Sequence, residues 1–91
     1  MNKIIFEVRV QKNTTNYYRI TLEEYMSKLY VNIREWFLNE KGIEIPTQKG
    51  ITFNLELFPK IVDGLKKVEE AINDLKSNKP HPDEGGSKQS S

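Results

Sequence analysis

Between Lys28 and Phe53 the chain reads KLYVNIREWFLNEKGIEIPTQKGITF, a stretch in which cationic and aromatic side chains are interleaved. In an extended chain Leu29, Val31 and Ile33 fall on one face, and Tyr30, Asn32 and Arg34 fall on the other. One face can therefore cover a core while the other stays in water. Tyrosine, arginine and tryptophan on a wet sheet face are the parts needed to stack on bases and to neutralise phosphates. The segment then turns at Asn39 to Gly42 and returns through Ile43 and Ile45 to Lys49-Gly50-Ile51, which predicts a hairpin.

The rest of the chain has to hold that hairpin in place. From Lys3 to Gln11, Ile4, Phe6, Val8 and Val10 alternate with Ile5, Glu7, Arg9 and Gln11, the pattern of a half-buried strand. Lys12 to Asn16 is a polar turn, and Tyr17 to Tyr25 resumes the alternation, with Tyr18, Ile20 and Leu22 against Arg19, Thr21 and Glu23. Met26-Ser27 is a tight connection into the third strand. Consecutive strands joined by short polar turns predict an antiparallel meander. Asn54 is a favoured N-cap, and Phe58, Ile61, Leu65, Val68, Ile72 and Leu75 then recur at helical spacing. Leu57 and Val62 broaden this seam at its start. Pro59 predicts an irregular first turn, and Gly64 is either a tolerated defect or a point of close approach to a partner backbone.

Composition sets the outer bounds. The 91 residues make one domain with a formal net charge of +1, and without cysteine there is neither a disulfide framework nor a thiolate metal site. Residues 1–53 carry a net +2 and the remainder a net −1, so charge alone does not announce a nucleic-acid binder. The N-terminal MNKIIFEVRV has charge inside its apolar run, unlike a signal peptide, and no apolar segment approaches the ~18 residues of a membrane span. The expectation is a soluble protein of the cytoplasm or nucleoid, or of the nucleus in a eukaryote. Residues 78–91, with prolines, glycines and no aliphatic side chain, read as a disordered polar tail to a domain of residues 1–77.

The run from Tyr25 to Phe58 resembles the positive-cofactor-four (PC4-like) family of single-stranded-DNA-binding transcriptional coactivators. The resemblance rests on Lys28, the Ile33-Arg34-Glu35-Trp36-Phe37 cluster, Gly42, Pro46, Lys49-Gly50-Ile51 and Asn54, and it continues to about Leu75. It implies an α+β fold, a curved four-stranded antiparallel sheet followed by one C-terminal helix, in a homodimer. A dimer also suits a chain near the size at which a lone core becomes marginal. By the same resemblance Lys28, Arg34 and Lys49 occupy phosphate-contacting positions, and Tyr25 and Phe37 occupy base-stacking ones. Gln48 and Met26 stand where the family commonly has basic residues, which predicts weaker electrostatic binding.

Each assignment has a plainer alternative. The cations could be solvating charges, with Arg34 paired to a neighbouring Glu, and the aromatics could be core. Strict alternation puts Trp36 on the side of Arg34 and Phe37 on the other, so stacking by Phe37 requires a bulge, twist or strand end between Arg34 and Phe37. Without one, Trp36 is the platform. Tyr17, Tyr18 and Tyr30 read as packing, edge or interface residues. The helix seam Phe58, Ile61, Leu65, Val68 and Ile72 is the expected dimer interface.

No catalytic constellation is present. His81, the only histidine, lies in Pro80-His81-Pro82, and the adjacent pairs Glu23-Glu24 and Glu69-Glu70 point in different directions. The sequence therefore predicts a non-enzyme without metal or cofactor. Its partners would be single-stranded DNA, with RNA left open, a second copy of itself, and transcription or replication proteins. The competing reading is a protein-interaction or structural dimer.

Overall fold

Alternating apolar and polar residues produce four strands, β1 (Lys3–Gln11), β2 (Asn16–Tyr25), β3 (Lys28–Leu38) and β4 (Glu44–Asn54), followed by helix α1 (Phe58–Lys76). The computed structural model describes residues 2–77, so the tail expected at 78–91 lies outside the described residues. The strands pair antiparallel in the order β1-β2-β3-β4, an open curved sheet.

Turn chemistry fixes the registers. Met26 and Ser27 both have positive φ, 52° and 65°, as a two-residue mirror-image turn requires, and they set Tyr25 opposite Lys28. At the β3–β4 connection Gly42 has φ 80°, and the Asn39 side chain accepts from the Lys41 and Ile43 amides. The Lys12 to Thr15 turn is held by Asn13, whose Oδ1 accepts from the Thr15 and Asn16 amides.

Cross-strand pairing sorts the side chains into two faces. Phe6, Leu22, Val31 and Phe53 form one row across the sheet, and Val8, Ile20, Ile33 and Ile51 form the next. Val31 and Phe53 are buried at the centre of this apolar face, while Phe6 at its edge remains 63% exposed. The opposite face carries Glu7, Arg9, Tyr17, Arg19, Thr21, Asn32, Arg34 and Trp36. One expectation is corrected here. A bulge between Ile4 and Phe6 reverses the alternation, so Ile4 sits opposite Glu23 on the polar face rather than with Phe6.

A second irregularity lies in β4. Arg34 pairs with Gly50 and Trp36 with Pro46, so Glu35 alone opposes Thr47, Gln48 and Lys49. The bulge is pinned by Thr47, whose hydroxyl donates to the Glu35 carbonyl at 2.7 Å and accepts from the Lys49 amide at 3.1 Å.

The chain divides into a sheet unit, Met1–Phe58, and a unit that begins at Pro59. Within the first, the Phe53 and Phe58 rings pack at 6.2 Å between centroids. Asn54 caps a turn rather than the helix itself: its Oδ1 accepts from the Leu57 amide at 2.8 Å, and α1 begins at Phe58. Pro59 thus falls in the first helical turn, where its missing N–H breaks no bond. No α1 residue is buried; Leu65 and Val68 are 59% and 57% exposed.

Candidate nucleic-acid interface

The two-residue turn at Met26-Ser27 places Arg19 directly opposite Arg34 and Tyr17 directly opposite Trp36. The β1–β2 register adds Arg9 opposite Arg19. A row of three arginines, Arg9, Arg19 and Arg34, therefore crosses the polar face and ends at Gly50, beside a second row of Tyr17, Trp36 and Pro46. Like charges set directly opposite one another are unfavourable in a sheet, so the arrangement needs compensation.

Two carboxylates supply it for part of the row. Glu7 accepts from Arg9 Nε at 2.6 Å and from Arg19 Nη2 at 2.8 Å, and Glu44 accepts from Arg9 Nη1 at 3.0 Å. The guanidiniums of Arg9 and then Arg19 hold the Glu7 carboxyl below its usual range, and Arg9 does the same for Glu44. Both arginines also lie over rings of the neighbouring strand, Arg9 at 5.0 Å from the Tyr17 centroid and Arg19 at 4.4 Å from that of Trp36. Tyr17 is 6% exposed in consequence, and burial raises the pKa of its hydroxyl.

Arg34 differs from the other two. Among the described residues it has no carboxylate partner; its Nη1 donates to the Thr47 carbonyl at 2.9 Å, and its guanidinium lies over the Cα of Gly50. The pairing of Arg34 with a neighbouring Glu is not formed, because Glu35 points to the other face and is bound by Lys12 at 3.0 Å and Asn16 at 2.9 Å. Beside Arg34 runs a groove of about 350 Å3, lined by Ile4, Arg19, Thr21, Glu23, Asn32 and Trp36 among others.

The structure brings together four of the six nucleic-acid candidates. Tyr25 and Lys28 face each other at the Met26-Ser27 end of the polar face, and Arg34 and Trp36 lie further along it. From Lys28 to Trp36 the path is about 26 Å at ordinary strand rise. Phe37 and Lys49 are placed elsewhere. The β2–β3 register runs unbroken through Trp36 and Phe37, since the extra residues sit in β4, so Phe37 faces the opposite side with Ile45. Lys49 adjoins Gly50 on the side of Glu35, whose lowered pKa it supports after Asn16 and Lys12. Arg9, Arg19 and Tyr17 join the site without having been singled out from sequence. For Arg19 and Tyr17 the signal is arithmetic, since across a two-residue turn at 26 and 27 paired positions sum to 53, whereas Arg9 enters only through the β1–β2 register.

Among the described residues there is no group of three or more His, Cys, Asp or Glu able to hold a metal ion, and no helix long and apolar enough to cross a membrane.

Comparison with known proteins gives this geometry its family. Residues 12–64 match the Transcriptional Coactivator p15 (PC4) family, and the chain belongs to it. Over 59 residues it is 32% identical to the RNA polymerase II transcriptional coactivator KELP of Arabidopsis thaliana, a match spanning 65% of this chain and 35% of that relative. A PC4 homologue from Burkholderia pseudomallei superposes with a TM-score of 0.64 at 31% identity, covering 75% of this chain and 89% of the other. A bacteriophage T5 homologue of PC4 implicated in recombination-dependent DNA replication shares the fold, with a TM-score of 0.65 at 22% identity over 79% of this chain and 84% of that one.

Proposed function

We propose that the chain is a non-catalytic module that binds single-stranded DNA irrespective of sequence, as a homodimer, in transcription, replication or repair. The observation that carries this reading is Arg34. Its guanidinium has no carboxylate partner among the described residues, is positioned by Gly50 and Thr47, and shares a face with Trp36. A cation ready for phosphate beside the half-buried Trp36 indole, which a base meets in place of the Arg19 guanidinium now over it, is the minimal unit of single-strand binding, and every base has a stacking face. Tyr25 and Lys28 repeat the combination at the far end of the face. Phe37, near the β3–β4 end, and Lys49, in the β4 bulge, lie on the reverse side and meet a strand only where it passes around the sheet. The exposed seam of Leu65, Val68 and Ile72 supports association of two copies through α1. The module would act wherever duplex is melted, in the nucleoid or the nucleus, beside the proteins that expose single strands; RNA is a second substrate by the same chemistry.

Fluorescence polarisation with labelled oligothymidine, alone and against duplex competitor, tests the binding. Single strands should win, and Arg34→Ala should weaken binding to all sequences alike and lower the salt slope by about 0.7. Sedimentation should show a dimer at micromolar concentration that Leu65→Glu disrupts. A folded protein that binds no oligothymidine at low salt leaves the protein-interaction dimer as the function.

A further inference from the structure

The arginine row extends well past Arg34, and the two cations beyond it are not free. Arg9 and Arg19 hold Glu7 between them, and Glu44, at the start of the opposite edge strand, reaches Arg9 with both carboxylate oxygens, at 3.0 and 3.4 Å. These contacts place two anions along a line of guanidiniums whose third member has none. Arg19 Nε is buried and has no hydrogen-bond partner, so the guanidinium is incompletely satisfied even with Glu7 in place. Carboxylate and phosphate present similar oxygen pairs to an arginine fork.

We propose that Arg9 and Arg19 extend the phosphate-binding surface beyond Arg34, so that a single strand crosses the sheet from β4 towards β1, and that Glu7 and Glu44 occupy these guanidiniums as internal anions until phosphate displaces them. This rests on the single-strand reading above and adds the course of the strand and what competes with it. The aromatic row follows the same course. Trp36 lies under Arg19 and the buried Tyr17 under Arg9, so an aromatic ring backs each of the two guanidiniums that carry an internal anion. Displacement also accounts for a DNA face on a chain of nearly neutral charge. The cations are present, but two of the three in the row are neutralised from within.

The internal anions weaken binding in a way that salt reveals. A phosphate that takes Arg19 releases its own counterion, but a displaced Glu7 takes one up, and the two cancel. Glu7→Gln keeps an acceptor oxygen for Arg9 and Arg19 and removes the charge. It should bind oligothymidine more tightly than wild type, with a salt slope steeper by about 0.7 per contact freed, so that a fourfold reduction in salt gains roughly 2.6-fold more affinity than in wild type. Arg9→Gln, at the exposed end of the row, should lose affinity and flatten the slope. Glu69→Gln on α1 makes the same change of net charge and serves as the control, with the slope unaltered. If wild type binds and Arg34→Ala weakens it, but Glu7→Gln matches wild type or merely matches Glu69→Gln, the strand does not follow the row and the proposal is overturned. If Glu7→Gln fails to fold by circular dichroism, Arg9→Gln decides, and unchanged affinity and slope overturn the proposal. No binding by wild type is a different result, which removes the single-strand reading itself.

Discussion

Arg34 and Gly50 face each other across β3 and β4, and the guanidinium fills the space that a β-carbon on Gly50 would need: Cζ, Nη1 and Nη2 lie 2.6, 2.8 and 2.9 Å from that position. Three such similar distances mean that the guanidinium presents its face to the Gly50 Cα. Glycine is thus the partner that lets a cation lie down against the sheet with its donors directed at Thr47 and at the groove.

Gly50→Ala separates stability from binding. The clash is with the far end of a flexible side chain, and a strand interior favours Ala over Gly by roughly 0.5–1 kcal/mol. The variant should keep or raise its melting temperature while its affinity for oligothymidine falls towards that of Arg34→Ala. A lower melting temperature with intact affinity would contradict the proposed role of the pair.

Trp36 and Phe37 are sequence neighbours on opposite faces, so their alanine variants should part company. Trp36→Ala is expected to cost about 1–3 kcal/mol of binding per stacked base with little change in salt slope. Phe37→Ala should instead lower stability and leave binding nearly intact. Titrations of both at two salt concentrations check this, and equal losses of affinity would mean that the strand engages both faces.

The Met26-Ser27 turn carries a removable strain. Side chains in the left-handed region cost roughly 1–2 kcal/mol per residue, and glycine avoids that cost. Ser27→Gly should stabilise the fold by about 1 kcal/mol, visible as a rise in melting temperature of about 4–8 °C at fixed protein concentration. An unchanged or lower melting temperature would mean that the turn is held by something other than its own geometry.

Glu35 makes stability depend on acid. Its side chain is 4% exposed, and its pKa is lowered from 4.5 by donation from Asn16 first and Lys12 second. A depressed carboxylate contributes stability that is fully present above its unfolded value and is lost as pH falls through the folded one. Lys12, raised from 10.5 by the same pair, contributes below 10.5 and loses that contribution only at still higher pH. Denaturant melts should therefore show Glu35→Gln less stable than wild type at pH 7, with the gap narrowing below pH 4.5. A constant gap across the acid range would place the effect outside the ion pair.

The strands, their order and the turn at Asn39 to Gly42 are legible in the sequence because alternation and turn residues are local signals. So is the two-sidedness that separates Arg34 from Ile33. The position of Ile4 is not, since the bulge that reverses the alternation there is set by pairing with Glu23 and Leu22 and leaves no mark in the apolar–polar pattern of the sequence. Phe37 is ambiguous in sequence for a related reason: stacking by it needs a bulge, and the bulge sits in the partner strand and leaves Phe37 where alternation puts it. Arg9 and Arg19 look in sequence like solvating charges on separate strands. Only the registers bring them into one line with Arg34, and only the fold carries Glu44 to Arg9.

That last contact joins strands that share no backbone hydrogen bond. β1 and β4 are the outer edges of the sheet, three strand spacings or about 14 Å apart if it were flat, yet Arg9 and Glu44 meet across the polar face. The tie behaves as a drawstring. Being exposed, it is weakened by salt, whereas the amide ladders between neighbouring strands are not. Ionic strength can therefore alter how tightly the sheet curls without altering which strands pair, and the span from β1 to β4 becomes a mechanical property of the medium as well as of the sequence.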